Sequence, residues 1–506
     1  MSASGEEAAL PAVSTPAPGA VLAAARDERW PALYVLCAGM LMIVLDVTVV
    51  NVALPSIQDQ LHFSSAALAW VVNAYLISFG GLLLLAGRLG DLLGRRRVFL
   101  AGIGLFTVAS LLCGIADSQA LLVAARFLQG VGGAMTSAVI LGMIVTMFPE
   151  GRDQAKAIGV YAFVASAGGS IGLLAGGLIT QSIDWHWIFF INVPIGAATA
   201  WLARRLLADE GGIGLAAGAD VPGGLLITAA LMVGVYAIVG PAASHGWGDA
   251  RTLGLGAASL ALLAAFVARE ATASNPLVPL RIFRLKAVVA ANVVQILSVA
   301  GMFGIFFLGA LYLRRVLHYD ALEIGLAFLP VTVAMGTLSI RYSERIVTRF
   351  GPRTALLAGM PLIMVALALF ARAGIHGSYL SEVLPSMALL GIGAGVAFPA
   401  LMAVAMSGAT PADAGLASGL VNTTAQVGGA LGLAVLATLS DARSRTLSHR
   451  GASSAAALTG GYHLAFWIAA GLVGCAIGVV LATLPRRTRS TAPQHAREAS
   501  AVGSRD

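Results

Sequence analysis

One aspartate and one arginine stand deep inside apolar runs of this chain, Asp46 in "MLMIVLDVTVV" and Arg126 in "LLVAARFLQG". Ionisable groups among aliphatic side chains are costly unless they face a cavity or a partner, and a carboxylate in such a place can load and release protons. Asp46 is therefore a candidate proton carrier. The plainer reading is a neutral aspartate hydrogen-bonded to a neighbouring helix; for Arg126 it is a side chain that snorkels to a boundary. Arg126, Gln129, Gly130 and Gly133 share one face at helical spacing, so the arginine has a polar neighbour and small residues that allow close packing.

The elements that must hold these two residues are set by composition. Of 506 residues 58% are hydrophobic and 11% charged, with a mean hydropathy of +0.87. Such a balance, with apolar runs recurring from Pro31 to Leu484, predicts an all-α polytopic membrane protein. Fourteen spans are expected, near 31–55, 67–87, 98–115, 120–148, 157–181, 186–207, 221–241, 252–270, 287–312, 321–342, 354–373, 380–406, 413–439 and 460–484. If the N-terminus is cytoplasmic, 23 of the 31 lysines and arginines fall in inner segments and seven in outer ones, as the positive-inside rule requires. Both ends are then cytoplasmic. Residues 1–30 and 485–506 read as tails, the first disordered and without a signal peptide.

Depth can be estimated from this topology. Asp46 lies about fifteen residues into the first span, roughly 22 Å from its cytoplasmic end, and Arg126 lies about 9 Å below the outer surface on a span running inward. The two are at comparable depth and can approach one another.

The chain also repeats itself. "GRRRVFLAG" at Gly94 recurs as "GPRTALLAG" at Gly351, "GVGGA" at Gly130 as "GIGAG" at Gly391, and "GGSIGLL" at Gly168 as "GGALGLA" at Gly428, with offsets of 257, 261 and 260. Three pairs in one order at nearly one offset imply two six-helix halves, 31–207 and 287–484. Residues 208–286 form an insert that carries the seventh and eighth spans. Repeats of this kind place the substrate at the interface between halves, near the midplane.

These residues carry a family resemblance. "GRLGDLLGRRR" at 87–97 resembles the loop-2/3 signature of the major facilitator superfamily. "LDVTVVNVALPSI" at 45–57, "RFLQGVGGA" at 126–134, "WHWIFFINVPIG" at 185–196 and "GLASGLVNTTAQVGGALG" at 415–432 resemble its fourteen-helix drug:proton antiporter branch. The resemblance implies the major facilitator fold, no cofactor other than a proton gradient, and a role for Arg126 in proton exchange beside Asp46. It also implies a conformational latch at Gly87, Gly90, Asp91, Gly94, Arg95 and Arg96, in which Asp91 meets partners across the halves in one state. The second copy has Thr348 where the first has Asp91, so the latch is asymmetric.

Gly168, Gly172, Gly176 and Gly177 form a small-residue stripe suited to close helix packing, and by resemblance they are the family's antiporter motif. That motif normally continues Gly-Pro where this chain has Gly172-Leu173. The missing proline removes a kink and weakens the implication of antiport. Mid-span polar residues Asn73, Gln129, Gln295, Asn422 and Gln426 sketch a possible substrate cavity with few charges, which suits a lipophilic small molecule.

The function expected is therefore proton-coupled export of lipophilic drugs or antibiotics by alternating access, by a monomer in a bacterial cell membrane. Same-fold transport of a metabolite, lipid or siderophore is the nearer alternative. An ATP-driven pump is excluded within this chain, because its two lysines, Lys156 and Lys286, are each followed by alanine and no phosphate loop can form. A membrane enzyme is a remote reading, since most of the histidines lie singly and no metal-ligand pattern is present. Cys37, Cys113 and Cys475 lie in apolar runs and suggest neither disulfide nor metal. The basic residues lie in short loops, without the aromatic-interleaved stripe that nucleic acid would need.

Overall fold

The computed structural model describes residues 18–148, 151–209, 211–214, 216, 218–407 and 414–484. The tail expected at 485–506 lies outside them, as does most of the one expected at 1–30. Thirteen described helices are long and apolar enough to cross a membrane. A further helix, α5 (Gly151–Ser182), spans 32 residues and fills the fourteenth expected place.

The first half contains α1 (Pro18–Leu61), α2 (Ser65–Leu93), α3 (Arg95–Gly114), α4 (Gln119–Met147), α5, and a last span broken into α6 (Trp187–Phe190) and α7 (Asn192–Leu206). α1 begins at Pro18, within the stretch expected to be a disordered tail. The insert contains α8 (Val221–Ala237), continued through a π-helical turn to α9 (Ala243–His245), and α10 (Ala250–Thr272). The second half contains α11 (Lys286–Arg315), α12 (Ala321–Arg341), the short α13 (Ser343–Phe350), α14 (Pro352–Phe370), α15 (Leu384–Ser407), α16 (Ala414–His449) and α17 (Ser454–Thr483).

The halves repeat in packing as they do in sequence. α3 packs on α4, α2 on α4, α1 on α5 and α7, and α3 on α7. In the second half α14 packs on α15, α12 on α15, α11 on α16 and α17, and α14 on α17. The repeated glycines make these contacts. A Cβ on Gly102 would lie 2.9 Å from the Gly132 carbonyl, and one on Gly359 would lie 2.6 Å from the Gly393 carbonyl. At the repeated turn, Gly94 and Gly351 have φ of 97° and 84°, a region that side chains with a Cβ avoid. The sequence repeat is thus a repeat of the places where two helices touch backbone to backbone.

The halves meet along two equivalent seams, α2 against α16 and α5 against α12. A Cβ on Gly80 would strike Gln426, and one on Gly177 would lie 2.6 Å from the Ala321 carbonyl. The insert packs through α8 on α2 and α16, while α10 packs on α8 and is otherwise largely exposed, as a lipid-facing helix is.

Candidate functional site

Asp46 and Arg126 meet. Arg126 Nη1 donates to Asp46 Oδ2 at 2.5 Å, and the two residues are 2% and 1% exposed. Asp46 Oδ1 accepts from Gln129 Nε2 at 2.7 Å and from Asn192 Nδ2 at 3.2 Å. Gln129 turns its oxygen to Arg126 Nη1 at 2.7 Å and donates through Nε2 to Ser110 Oγ at 2.8 Å. Arg126 Nε donates to the Val71 carbonyl at 2.9 Å, and the guanidinium lies 4.5 Å from the Tyr75 ring centroid. Five helices, α1, α2, α3, α4 and α7, each supply a polar or aromatic group to this network.

The local sequence explains the assembly. Gly130 approaches α2 so closely that a Cβ there would lie 2.4 Å from the Tyr75 carbonyl, which brings Arg126 and Gln129 into the bundle rather than onto its surface. Gly172 does the same on the other side of α1, with a Cβ position 1.9 Å from Thr48 Oγ1, two residues after Asp46. Because every oxygen of Asp46 is satisfied and the arginine is paired, the site is nearly neutral as a whole. Removing either charge alone leaves the other stranded, at a cost of about 3–5 kcal/mol.

The cavity expectation needs correction at two positions. Gln129 does not face a cavity; it is fully buried and bonds the ion pair. Asn73 is also fully buried, and neither atom of its amide has a partner. Gln295, Asn422 and Gln426 all lie in the second half, on α11 and α16. Asn422 is exposed and donates to the Ser418 carbonyl, Gln426 is half-buried against Gly80, and Gln295 is 8% exposed.

Ser110, Asn192, Tyr75 and Cys113 were not anticipated. Cys113 Sγ lies 3.6 Å from Gln129 Oε1. Each is a polar or polarisable residue in a long apolar run, the same signal that marked Asp46, but without formal charge to raise it above background.

The glycine stripe on α5 has two faces. Gly168, Gly172 and Gly176 meet Leu41, Val44, Thr48 and Val49 of α1, whereas Gly177 meets α12. Leu173, in the motif-proline position, is buried, and its carbonyl lies 2.5 Å from where a Cβ on Gly325 would sit. Ser170 Oγ donates to Thr332 Oγ1 at 2.8 Å in the same seam.

In the charged turn, Asp91 pairs with Arg95 at 3.3 Å, within its own half. Arg95 also donates to the Gly142 carbonyl near the end of α4, and Arg96 to the Arg204 carbonyl near the end of α7. Cations at helix C-termini meet unsatisfied carbonyls and the favourable end of the helix dipole. Gly87 and Gly90 lie over α4, where a Cβ on Gly90 would strike Val139.

Among the described residues, the charged contacts between the halves lie at the opposite end of the bundle. Arg315 of α11 pairs with Asp59 of α1 and donates to Gln58 Oε1 at 3.2 Å. Gln181 of α5 donates to Asp320 Oδ2 at 2.9 Å and accepts from the Leu322 amide at 3.2 Å. The α1–α2 end is thus fastened by described polar contacts between the halves.

Two pseudo-symmetric six-helix halves, joined by two seams and holding a buried charge network in one of them, define a secondary transporter that works by moving one half against the other. The family comparison agrees. The model for the Major Facilitator Superfamily matches residues 36–433, and the chain belongs to that superfamily.

Among curated relatives it is 38% identical to the puromycin resistance protein pur8 of Streptomyces alboniger, over 90% of each chain. It is 37% identical to the cephamycin export protein CmcT of Amycolatopsis lactamdurans, over 91% of this chain and 94% of that one. Among solved structures, a bacterial homologue of the human lysosomal transporter Spinster, in an inward-facing and unoccupied conformation, superposes with a TM-score of 0.63. That match has 15% identity and covers 90% of this chain and 96% of the other. It supports the fold alone.

Proposed function

We propose that this chain exports lipophilic drugs or antibiotics in exchange for protons, acting as a monomer in a bacterial plasma membrane with both termini cytoplasmic. The observation that carries the proposal is the buried Asp46–Arg126–Gln129 network, held within one half of a two-half transporter. The resistance and export roles of its relatives favour the substrate class.

The network supplies a physical route to coupling. Protonating Asp46 removes the counter-charge of a buried arginine, and that penalty, on the order of a few kcal/mol, acts only where the site stays dry. Rearrangement that hydrates or re-pairs Arg126 relieves it. A free-energy difference of about 3 kcal/mol shifts a two-state equilibrium by roughly a hundredfold, enough to bias which side of the bundle is open. Asp46 is the proton carrier in this scheme, and Arg126 sets the conformational consequence of loading it. Substrate binds between the halves, where Gln295, Asn422 and Gln426 offer uncharged polar groups.

The deciding experiment is efflux of a lipophilic cationic dye from cells expressing the protein, with the pH gradient intact or collapsed by an uncoupler, for wild type and Asp46→Asn. Gradient-dependent efflux that is lost in the variant is the expected result. Undiminished uncoupler-sensitive efflux by Asp46→Asn would overturn the assignment of Asp46. Absence of efflux by well-expressed wild type would point instead to a narrow-substrate transporter of the same fold.

A further inference from the structure

Far from the Asp46 network, the insert buries two more carboxylates side by side. Asp220 caps α8 and Glu270 lies in the last turn of α10; each residue is 3% exposed. Asp220 Oδ1 accepts from the Gly223 amide at 3.1 Å and from Arg269 Nε at 3.0 Å. Glu270 Oε2 accepts from the Val278 amide at 2.8 Å. The second oxygen of each, Asp220 Oδ2 and Glu270 Oε1, is buried with no hydrogen-bond partner. Both point into the small space over Gly223, where a Cβ would lie 2.6 Å from the first and 3.0 Å from the second.

Two buried acceptors that open on one small space without a donor are unfavourable, and a single proton resolves both. It turns one carboxyl into a donor for the other, satisfies both orphaned oxygens, and removes one of two neighbouring like charges. The charge inventory agrees. Arg269 offsets one negative charge; its described bond is to Asp220, and it also acts on Glu270 through space. Among the other described cations nearby, Arg284 and Lys286, which follow in the chain, are exposed.

We propose that Asp220 and Glu270 together form a second proton-binding site, holding one shared proton at the base of the insert. Along α2 this base, beside Leu85, is about 21 Å from Val71, which touches Arg126, at 1.5 Å per residue. The site is therefore separate from Asp46.

Its consequence for the bundle runs through Glu270. The Val278 amide it holds fixes Leu277 and Val278 in a small apolar cluster with Leu85 of α2, Val288 of α11, and Ala417 and Leu420 of α16. That cluster joins the insert to both halves. Loss of the proton sets the two carboxylates against each other and loosens Glu270 from Val278, so occupancy of the site controls how firmly the insert is wedged into the α2–α16 seam.

The test is infrared difference spectroscopy of the full-length purified protein, following the carbonyl stretch of protonated carboxylic acids. An Asp46→Asn background removes the other buried acid among the described residues. The expected result is an acid band at neutral pH, diminished by one carboxyl equivalent in Glu270→Gln and equally in Asp220→Asn, with no further loss when the two are combined. Either isosteric variant suffices if the other fails to fold. A background without an acid band at neutral pH, or a band that both variants leave unchanged, would overturn the proposal.

Discussion

The two halves share one scaffold and differ in what fills it. Gly172 packs on Thr48 in the first half and Gly432 on Ala300 in the second; two residues before these partners stand Asp46 and Ser298. Gly130 packs on the Tyr75 backbone and Gly391 on that of Val331. Four residues before these glycines stand Arg126 and Met387, and one residue before them Gln129 and Leu390. Ion pair and amide in one half thus correspond to serine, methionine and leucine in the other. The glycines that bring helices together are shared because packing demands them in both halves, whereas the charges are confined to one. What differs is whether a buried ion pair stands where the helices meet.

The most severe test removes that difference. A triple variant, Asp46→Ser with Arg126→Met and Gln129→Leu, gives the first half the side chains of the second. Gradient-driven efflux should vanish while the folded state survives, because replacing a buried ion pair by apolar side chains of similar volume is often neutral. Efflux and thermal unfolding measured together check both halves of the statement.

Arg126→Met alone should instead lower stability by about 3 kcal/mol at neutral pH, since it strands a buried carboxylate. The penalty should shrink as pH falls, because a protonated Asp46 needs no counter-charge. A melting-temperature deficit relative to wild type that stays constant across pH would contradict this account.

Gly172→Val and Gly432→Val sharpen the comparison. Added Cβ groups would lie 1.9 Å from Thr48 Oγ1 and 2.4 Å from Ala300, so each variant should be overpacked by about 1–3 kcal/mol. Only Gly172→Val displaces the turn that carries Asp46. At matched expression it should lose most of its transport while Gly432→Val retains more, as efflux rates would reveal.

Smaller effects belong to the exposed pairs. Asp59→Asn breaks the contact with Arg315 and should cost about 0.2–1 kcal/mol, opening the α1–α2 end by up to a fewfold in population. Distances between spin labels on α1 and α11 report it. Asp91→Asn should cost only about 0.3–0.5 kcal/mol of stability, because its present partner is a half-exposed Arg95 one turn away. A slower transport rate with an unchanged melting temperature would mark Asp91 as a group that acts in another state of the cycle.

Much of this was legible in the chain. The fourteen spans follow from apolar length, because a bilayer leaves helices few other ways to satisfy their backbone. The repeat was visible because close helix contacts admit only small residues, so the same packing leaves the same glycines. Asp46 and Arg126 stood out because charge in an apolar run is rare. Gln129 and Asn73 were misplaced for a related reason: a mid-span amide looks the same in sequence whether it faces substrate, a neighbouring helix or an ion pair.

The sequence by itself determined the membrane as solvent, the number of helices, the duplication and the two charged residues that set the first half apart. These depend on composition and spacing along one strand of chain. Only the tertiary structure decided that Arg126 pairs with Asp46 through an amide network from five helices, that Leu173 lies in the α5–α12 seam, and that Asp220 and Glu270 turn unsatisfied oxygens toward the same small space. Each of those facts depends on which faces of distant helices meet, and no local pattern records the rotation of one helix against another.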